Sequence, residues 1–144
     1  MNHHNVWLVE NRLFVGYYAG EITTQTLIEG QQEVQHVLDN ATDGRLIHAI
    51  VDMRFLVRYP TNLNDLIRAT PIFKSPALGW VVLLSNNTLI RFLTSAVIHY
   101  SKPEFRAFME IQKALDFLHE MDSEIPCMTE ADYKLAIERL TRAR

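Results

Sequence analysis

The sequence is poor in the residues that would declare a chemistry. Its one cysteine, Cys127, rules out an internal disulfide and any multi-cysteine metal site. No apolar run comes near the roughly 20 residues needed to span a bilayer. The stretch Met1-Asn2-His3-His4-Asn5 lacks the charged start, apolar segment and cleavage site of a secretory leader. A cytoplasmic location is therefore the expectation. Glycines number five, and neither Gly16 nor Gly20 leads through a lysine-serine pair into a helix, so there is no phosphate-binding loop. A Gly-x-Ser-x-Gly elbow and a paired-carboxylate motif are both missing. His36, His48, His99 and His119 stand on separate segments without ligand spacing, and His3-His4 sit together near one end, so no metal and no cofactor are expected.

What is there reads as a globular domain. With 48% hydrophobic and 22% charged residues, the 144-residue chain can build one core of ordinary size. The net charge of −3 conceals a segregation. Residues 1–44 hold one arginine against six acids, or −5. Residues 53–103 hold six basic groups against Asp65, or +5, and the stretch from Ala114 onward is −3. A basic middle in an acidic frame suggests a local anion-seeking surface, without the overall basicity of a nucleic-acid binder.

The order of segments is that of an open α/β sheet. Val6–Glu10 and Leu13–Ile22 read as a hairpin across Asn11-Arg12. A helix capped by Thr23 or Thr24 runs to about Asn40. Leu46–Met53 and Gly79–Ser85 read as strands buried on both faces, separated by a helix of about Leu63–Phe73. The next helix, to about Tyr100, carries an apolar stripe of Leu89, Ile90, Phe92, Leu93, Ala96, Val97 and Tyr100, which leaves Ile98 on the polar side facing solvent or a partner. A short strand Phe105–Met109, a helix Glu110–Met121 and a last helix, about Thr129–Arg142, complete the chain. The expected fold is one open, mostly parallel five-stranded sheet, its first strand antiparallel at an edge and its helices on both faces. Residues 1–122 form the α/β domain. Residues 123–144 add a linker and an amphipathic helix, packed on the same domain or used in dimerisation.

Val-Trp-Leu-Val-Glu followed by Leu-Phe-Val-Gly-Tyr-Tyr-Ala-Gly-Glu-Ile-Thr, the strand ending at Asp52, and Pro103-Glu-Phe-Arg-Ala-Phe leading to Ala114-Leu-Asp-Phe-Leu118 together resemble the bacterial STAS-like, SpoIIAA-like proteins. The resemblance covers about residues 6–121. It implies a small sheet flanked by helices that serves as a protein-interaction or ligand-sensing module. Its members antagonise anti-sigma factors and are switched by phosphorylation of a serine that follows the Asp-ending strand. This chain has no serine there: in Arg58-Tyr59-Pro60-Thr61-Asn62-Leu63-Asn64-Asp65, the hydroxyls are Thr61 and Tyr59. Thr61 is a candidate phosphosite, and more simply a helix cap.

His48, Asp52 and Arg54 alternate on one strand face and could be read as a base, its orienter and an anion clamp. Alternate strand residues stand nearly 7 Å apart. The simpler reading has Asp52 capping the strand end or pairing with Arg54, with His48 satisfied in or near the core. The chain is accordingly expected to be a non-enzymatic regulatory module. Its anion-facing surface would be formed by Arg54, Arg58, Thr61, Lys74 and Arg91, with an acidic or phosphorylated protein as partner. A homodimer is a further expectation, and nucleic acid is not. A small apolar-ligand or lipid carrier is the alternative, and a hydrolase or transferase ranks last.

Overall fold

The computed structural model describes residues 3–40, 43–69, 75–101 and 104–142. Five strands, β1 (His3–Val9), β2 (Leu13–Glu21), β3 (Ile47–Arg58), β4 (Leu78–Leu84) and β5 (Phe105–Phe108), form one sheet in the order β1-β2-β3-β4-β5. β1 pairs antiparallel with β2, and every later pairing is parallel. The tight turn between β1 and β2 places Asn11 in the left-handed region, at φ 61°, which asparagine tolerates better than most residues.

Helices α1 (Thr24–Asp39), α2 (Leu63–Ala69) and α3 (Thr88–Ser101) connect the parallel strands. Each step moves the sheet one strand in the same direction, and right-handed crossovers then place all three helices on one face. There Val34, Leu38, Val97 and Ile98 pack on Phe14, Ala49, Val81 and Leu83. The other face is left for α4 (Ile111–Met121) and α5 (Glu130–Arg142), which follow β5. Their Leu115, Leu118 and Tyr133, with Ile125 and Met128 from the linker between them, cover Leu13, Val15, Ile50 and Val82. Helices thus lie on both faces of a five-stranded mixed sheet, as expected.

Three details differ from the sequence reading. β3 does not stop near Asp52 or Met53 but runs to Arg58, so the first half of the expected loop is strand. Helix α3 is rotated: Ile98 is fully buried, Leu89 is exposed and Phe92 is 67% exposed. Ile90, Leu93, Val97 and Ile98 recur at helical spacing and make the buried stripe, because the apolar set is wider than one face and the sheet selects this part of it. Thr61 does not cap α2. Asn62 does, its Oδ1 accepting the Asp65 amide at 3.1 Å.

Candidate functional site at the end of the central strand

β3 is the middle strand, and its pairing with β4 ends at Asp52↔Leu84. Beyond that point β3 pairs only with β2, through Ala19↔Phe55, Gly20↔Leu56 and Glu21↔Arg58. Between Tyr17↔Asp52 and Ala19↔Phe55, β3 advances three residues while β2 advances two. The bulge falls at Met53-Arg54, and bulges of this kind re-aim side chains. Here the Arg54 side chain turns back on Asp52. Its Nε donates to Oδ1 at 3.0 Å, its Nη2 to Oδ2 at 2.9 Å, and its backbone amide to Oδ1 at 3.2 Å.

Asp52 has no solvent exposure, and its fourth bond comes from α5, where the Tyr133 hydroxyl donates to Oδ2 at 2.6 Å. The carboxylate is therefore saturated: both oxygens accept two bonds, from a cation, an amide and a phenol. The Arg54 guanidinium, 17% exposed, lies 5.3 Å from the Phe55 ring centre and 5.9 Å from that of Tyr133. Burial, reinforced by the Asp52 charge, drives the Tyr133 hydroxyl far above the usual tyrosine range. The same two causes raise Tyr17, whose ring lies 5.9 Å from Phe55. A phenol held so firmly in its neutral form is a hydrogen-bond donor and not a base.

His48 joins a different network. It is buried, its Nδ1 accepts the Trp80 backbone amide at 2.8 Å, and its Nε2 lies 2.8 Å from Asp122 Oδ2. Because Nδ1 faces a donor, the ring hydrogen sits on Nε2 and is given to Asp122. The ring replaces a rung of the ladder where β3–β4 register slips between Ile47 and Ala49. Gly79 makes room for it, since a Cβ there would overlap the imidazole. That bond, and next the Glu124 amide, hold the Asp122 carboxyl below its ordinary range. His48, Asp52 and Arg54 therefore do not converge as base, orienter and clamp. Asp52 pairs with Arg54, and His48 ties the end of α4 to the sheet.

Among the other anticipated residues, Arg58 is exposed and only loosely approached by Glu21, at 3.9 Å. Thr61 is exposed, Arg91 is half-buried, and Lys74 lies outside the described residues. Next to Arg58 the strand end shows apolar side chains to solvent: Phe55 is 52% and Val57 76% exposed. Leu63 at the start of α2 is exposed as well. Cys127 is a free, exposed thiol. No cluster of metal-ligating side chains occurs among the described residues. No helix among them is long and apolar enough to cross a membrane.

A mixed sheet in sequential order, closed by helices on both faces, defines an α/β module of the SpoIIAA-like fold. A solved structure sharing that fold is an uncharacterised protein of the DUF3478 family from Shewanella loihica PV-4. It is similar over 81% of this chain and 91% of its own, with a TM-score of 0.59 and 15% sequence identity. No protein-family model matches the sequence, and no curated protein matches it.

Proposed function

We propose that the protein is a non-enzymatic regulatory module that binds a protein partner through the projecting end of β3 and the turn into α2. The observation that carries this reading is the unequal length of the strands. β3 continues six residues past its last pair with β4 and presents Phe55, Val57 and Arg58 outward. An extended strand end with apolar side chains and a loosely held cation suits an acidic or phosphorylated segment, bound by charge-assisted hydrogen bonds and apolar contact. Topology supports a non-enzymatic role. Ligand crevices of open α/β sheets form where strand order reverses and helices diverge to opposite faces. From β2 to β5 the order never reverses, and Tyr133 fills the space over Asp52 from the far side.

The test is capture of acidic and phosphothreonine peptides, alongside cytosolic proteins, by the wild type and by a Val57→Asp/Arg58→Glu variant. Both positions are exposed, so folding is unaffected, and binding is expected to fall by about 2–4 kcal/mol if they are central to the contact. Unchanged retrieval by the variant removes the proposal.

A second reading is favoured by one observation. A cavity of about 60 Å³ lies between the sheet and α1, α2 and α3, lined by Phe14, Tyr18, Leu27, Val34, Met53 and Val97 among others. Gln31 borders it, and its buried Oε1 accepts no hydrogen bond. As it stands that volume admits a guest of about one or two waters, so a small apolar molecule carrying one donor would enter only by parting the helices from the sheet. Native mass spectrometry of protein purified without denaturation would show such a ligand as added mass, and a bare chain mass at every gentle setting removes this reading.

A further inference from the structure

The last helix holds the sheet by little of its own surface. Among the described side chains of α5, Tyr133 alone is buried, Ala136 and Ile137 are half-buried, and the rest face solvent. The chain just before it is held far more firmly. Ile125 is fully buried, and its carbonyl lies 2.7 Å from His119 Nδ1. Met128 is buried too. Gln112 of α4 grips both sides of Thr129, donating to the Met128 carbonyl at 3.0 Å and accepting the Glu130 amide at 2.9 Å. α5 also carries its own start. The Thr129 hydroxyl accepts the Asp132 amide at 3.3 Å, and the Asp132 carboxylate accepts the Thr129 amide at 2.9 Å. A helix capped from within, clamped at its first residue and held beyond it by few buried contacts can swing about the clamp as one body.

What Tyr133 covers is a stowed arginine. With the phenol in place Asp52 is shut off from water, and its counter-charge is Arg54. Taking the guanidinium away would leave a buried, unpaired carboxylate, which a protein interior scarcely tolerates. Lifting the phenol lets water reach both oxygens. The pair then becomes an exposed one, and exposed ion pairs contribute little. Arg54 is released to turn toward Phe55, whose ring centre already lies 5.3 Å from its guanidinium and which is itself half-exposed. Arg58, exposed and loosely held, follows four residues later on β3.

We propose that α5 is an autoinhibitory strap: docked, it keeps Arg54 stowed on Asp52, and lifted, it releases Arg54 to join Arg58 in binding a phosphorylated segment of a partner protein. The inference rests on the reading of the β3 end as a partner site and adds its regulation. One arginine suits a carboxylate, whereas two suit the dianion of a phosphate. The coupling is reciprocal, so a segment that draws Arg54 outward also loosens α5.

The experiment titrates one peptide in two forms, with phosphothreonine or glutamate at the same position, into the whole protein. NMR follows the Arg54 Nε–H signal and the hydrogen exchange of the α5 amides. Ile137→Asp loosens α5 at a half-buried position without touching Asp52. It should speed exchange of the Arg54 Nε–H and tighten the phosphorylated form about tenfold, the glutamate form by less. Adding Arg54→Gln should cancel that gain. Should either variant fail to fold, the wild type decides the matter: saturating phosphopeptide should speed exchange of the α5 amides and leave those of α4 unchanged. The proposal is overturned if Ile137→Asp binds the phosphorylated form no better than the wild type, if the gain survives Arg54→Gln, or if bound phosphopeptide leaves α5 equally protected. Wild-type binding that is lost in Arg58→Glu but indifferent to α5 removes the strap alone. If neither form binds any variant, the reading of the strand end falls with it.

Discussion

Removing a single oxygen tests the central network. In Tyr133→Phe the ring stays and keeps its packing among Ile50, Val15 and Leu118, so no cavity forms. What disappears is one hydrogen bond of 2.6 Å to a carboxylate that has no solvent exposure. Hydrogen bonds to charged groups contribute about 1.5–3 kcal/mol, and a buried acceptor that loses its donor cannot recover the loss from water. Asp52 retains three bonds from Arg54, which limits the penalty. A loss of about 2 kcal/mol is the expected outcome, or about 6 °C in Tm for a chain of this size. Urea unfolding and calorimetry measure it, with Tyr17→Phe as the exposed-side comparison.

The pH dependence gives a second handle on the same variant. Because the folded-state pKa of Tyr133 is raised, its contribution to stability is complete below the ordinary tyrosine value and declines as pH climbs past about 10, where the unfolded chain ionises first. The variant should show a shallower alkaline decline, though not a flat one, because buried Tyr18 is raised in the same direction. Combined with Asp52→Asn in a double-mutant cycle, the two sites should couple by about 1 kcal/mol or more. A Tm change below about 1 °C, or strict additivity, would refute the bond as the anchor of α5.

Two further outcomes concern the His48 network. Gly79→Ala drives a methyl into the imidazole and displaces it from the Trp80 amide, so a loss of about 3 kcal/mol is expected by denaturant titration. A neutral result would mean that the ring sits elsewhere. The lowered Asp122 pKa implies stability that is present above the ordinary carboxylate value and lost as pH falls through the lowered one. Asp122→Asn should therefore flatten the acid limb of the stability curve below about pH 4, and an unaltered limb would contradict the assignment.

Local pattern carried the fold a long way. The alternation of β-rich runs with amphipathic stretches was enough for strand number, edge strand and parallel pairing, because each of those is encoded within a few residues and the crossover rule supplies the rest. The pairing of Asp52 with Arg54, one of two roles open to Asp52 from sequence, was legible for the same reason, the two being only two residues apart. The extension of β3 to Arg58 was not, since Phe55 and Val57 are exposed and Arg54 and Arg58 are charged, a composition that reads as loop. Nor was the rotation of α3. Leu89, Phe92 and Ile98 are equally apolar, and only the neighbouring sheet decides which of them is buried. Tyr133 and Asp122 escaped notice because their partners lie 81 and 74 residues away. The one local hint was that Tyr133 and Ile137 share a face of an amphipathic helix.

The separation between Tyr133 and Asp52 has a consequence for how the chain is made. Strand order follows sequence order, so each emerging strand can dock on the one before it without waiting for a distant partner. Asp52 and Arg54, however, emerge with only each other for company, and the phenol that completes them follows 81 residues later. At a synthesis rate of 5–20 residues per second, that is a delay of about 4–16 s. Until α4 emerges late in this interval, the far face of the sheet, with Leu13, Val15, Ile50 and Val82, stands open. The nascent protein is thus a half-covered sheet waiting for its second layer, which α4 begins and α5 completes.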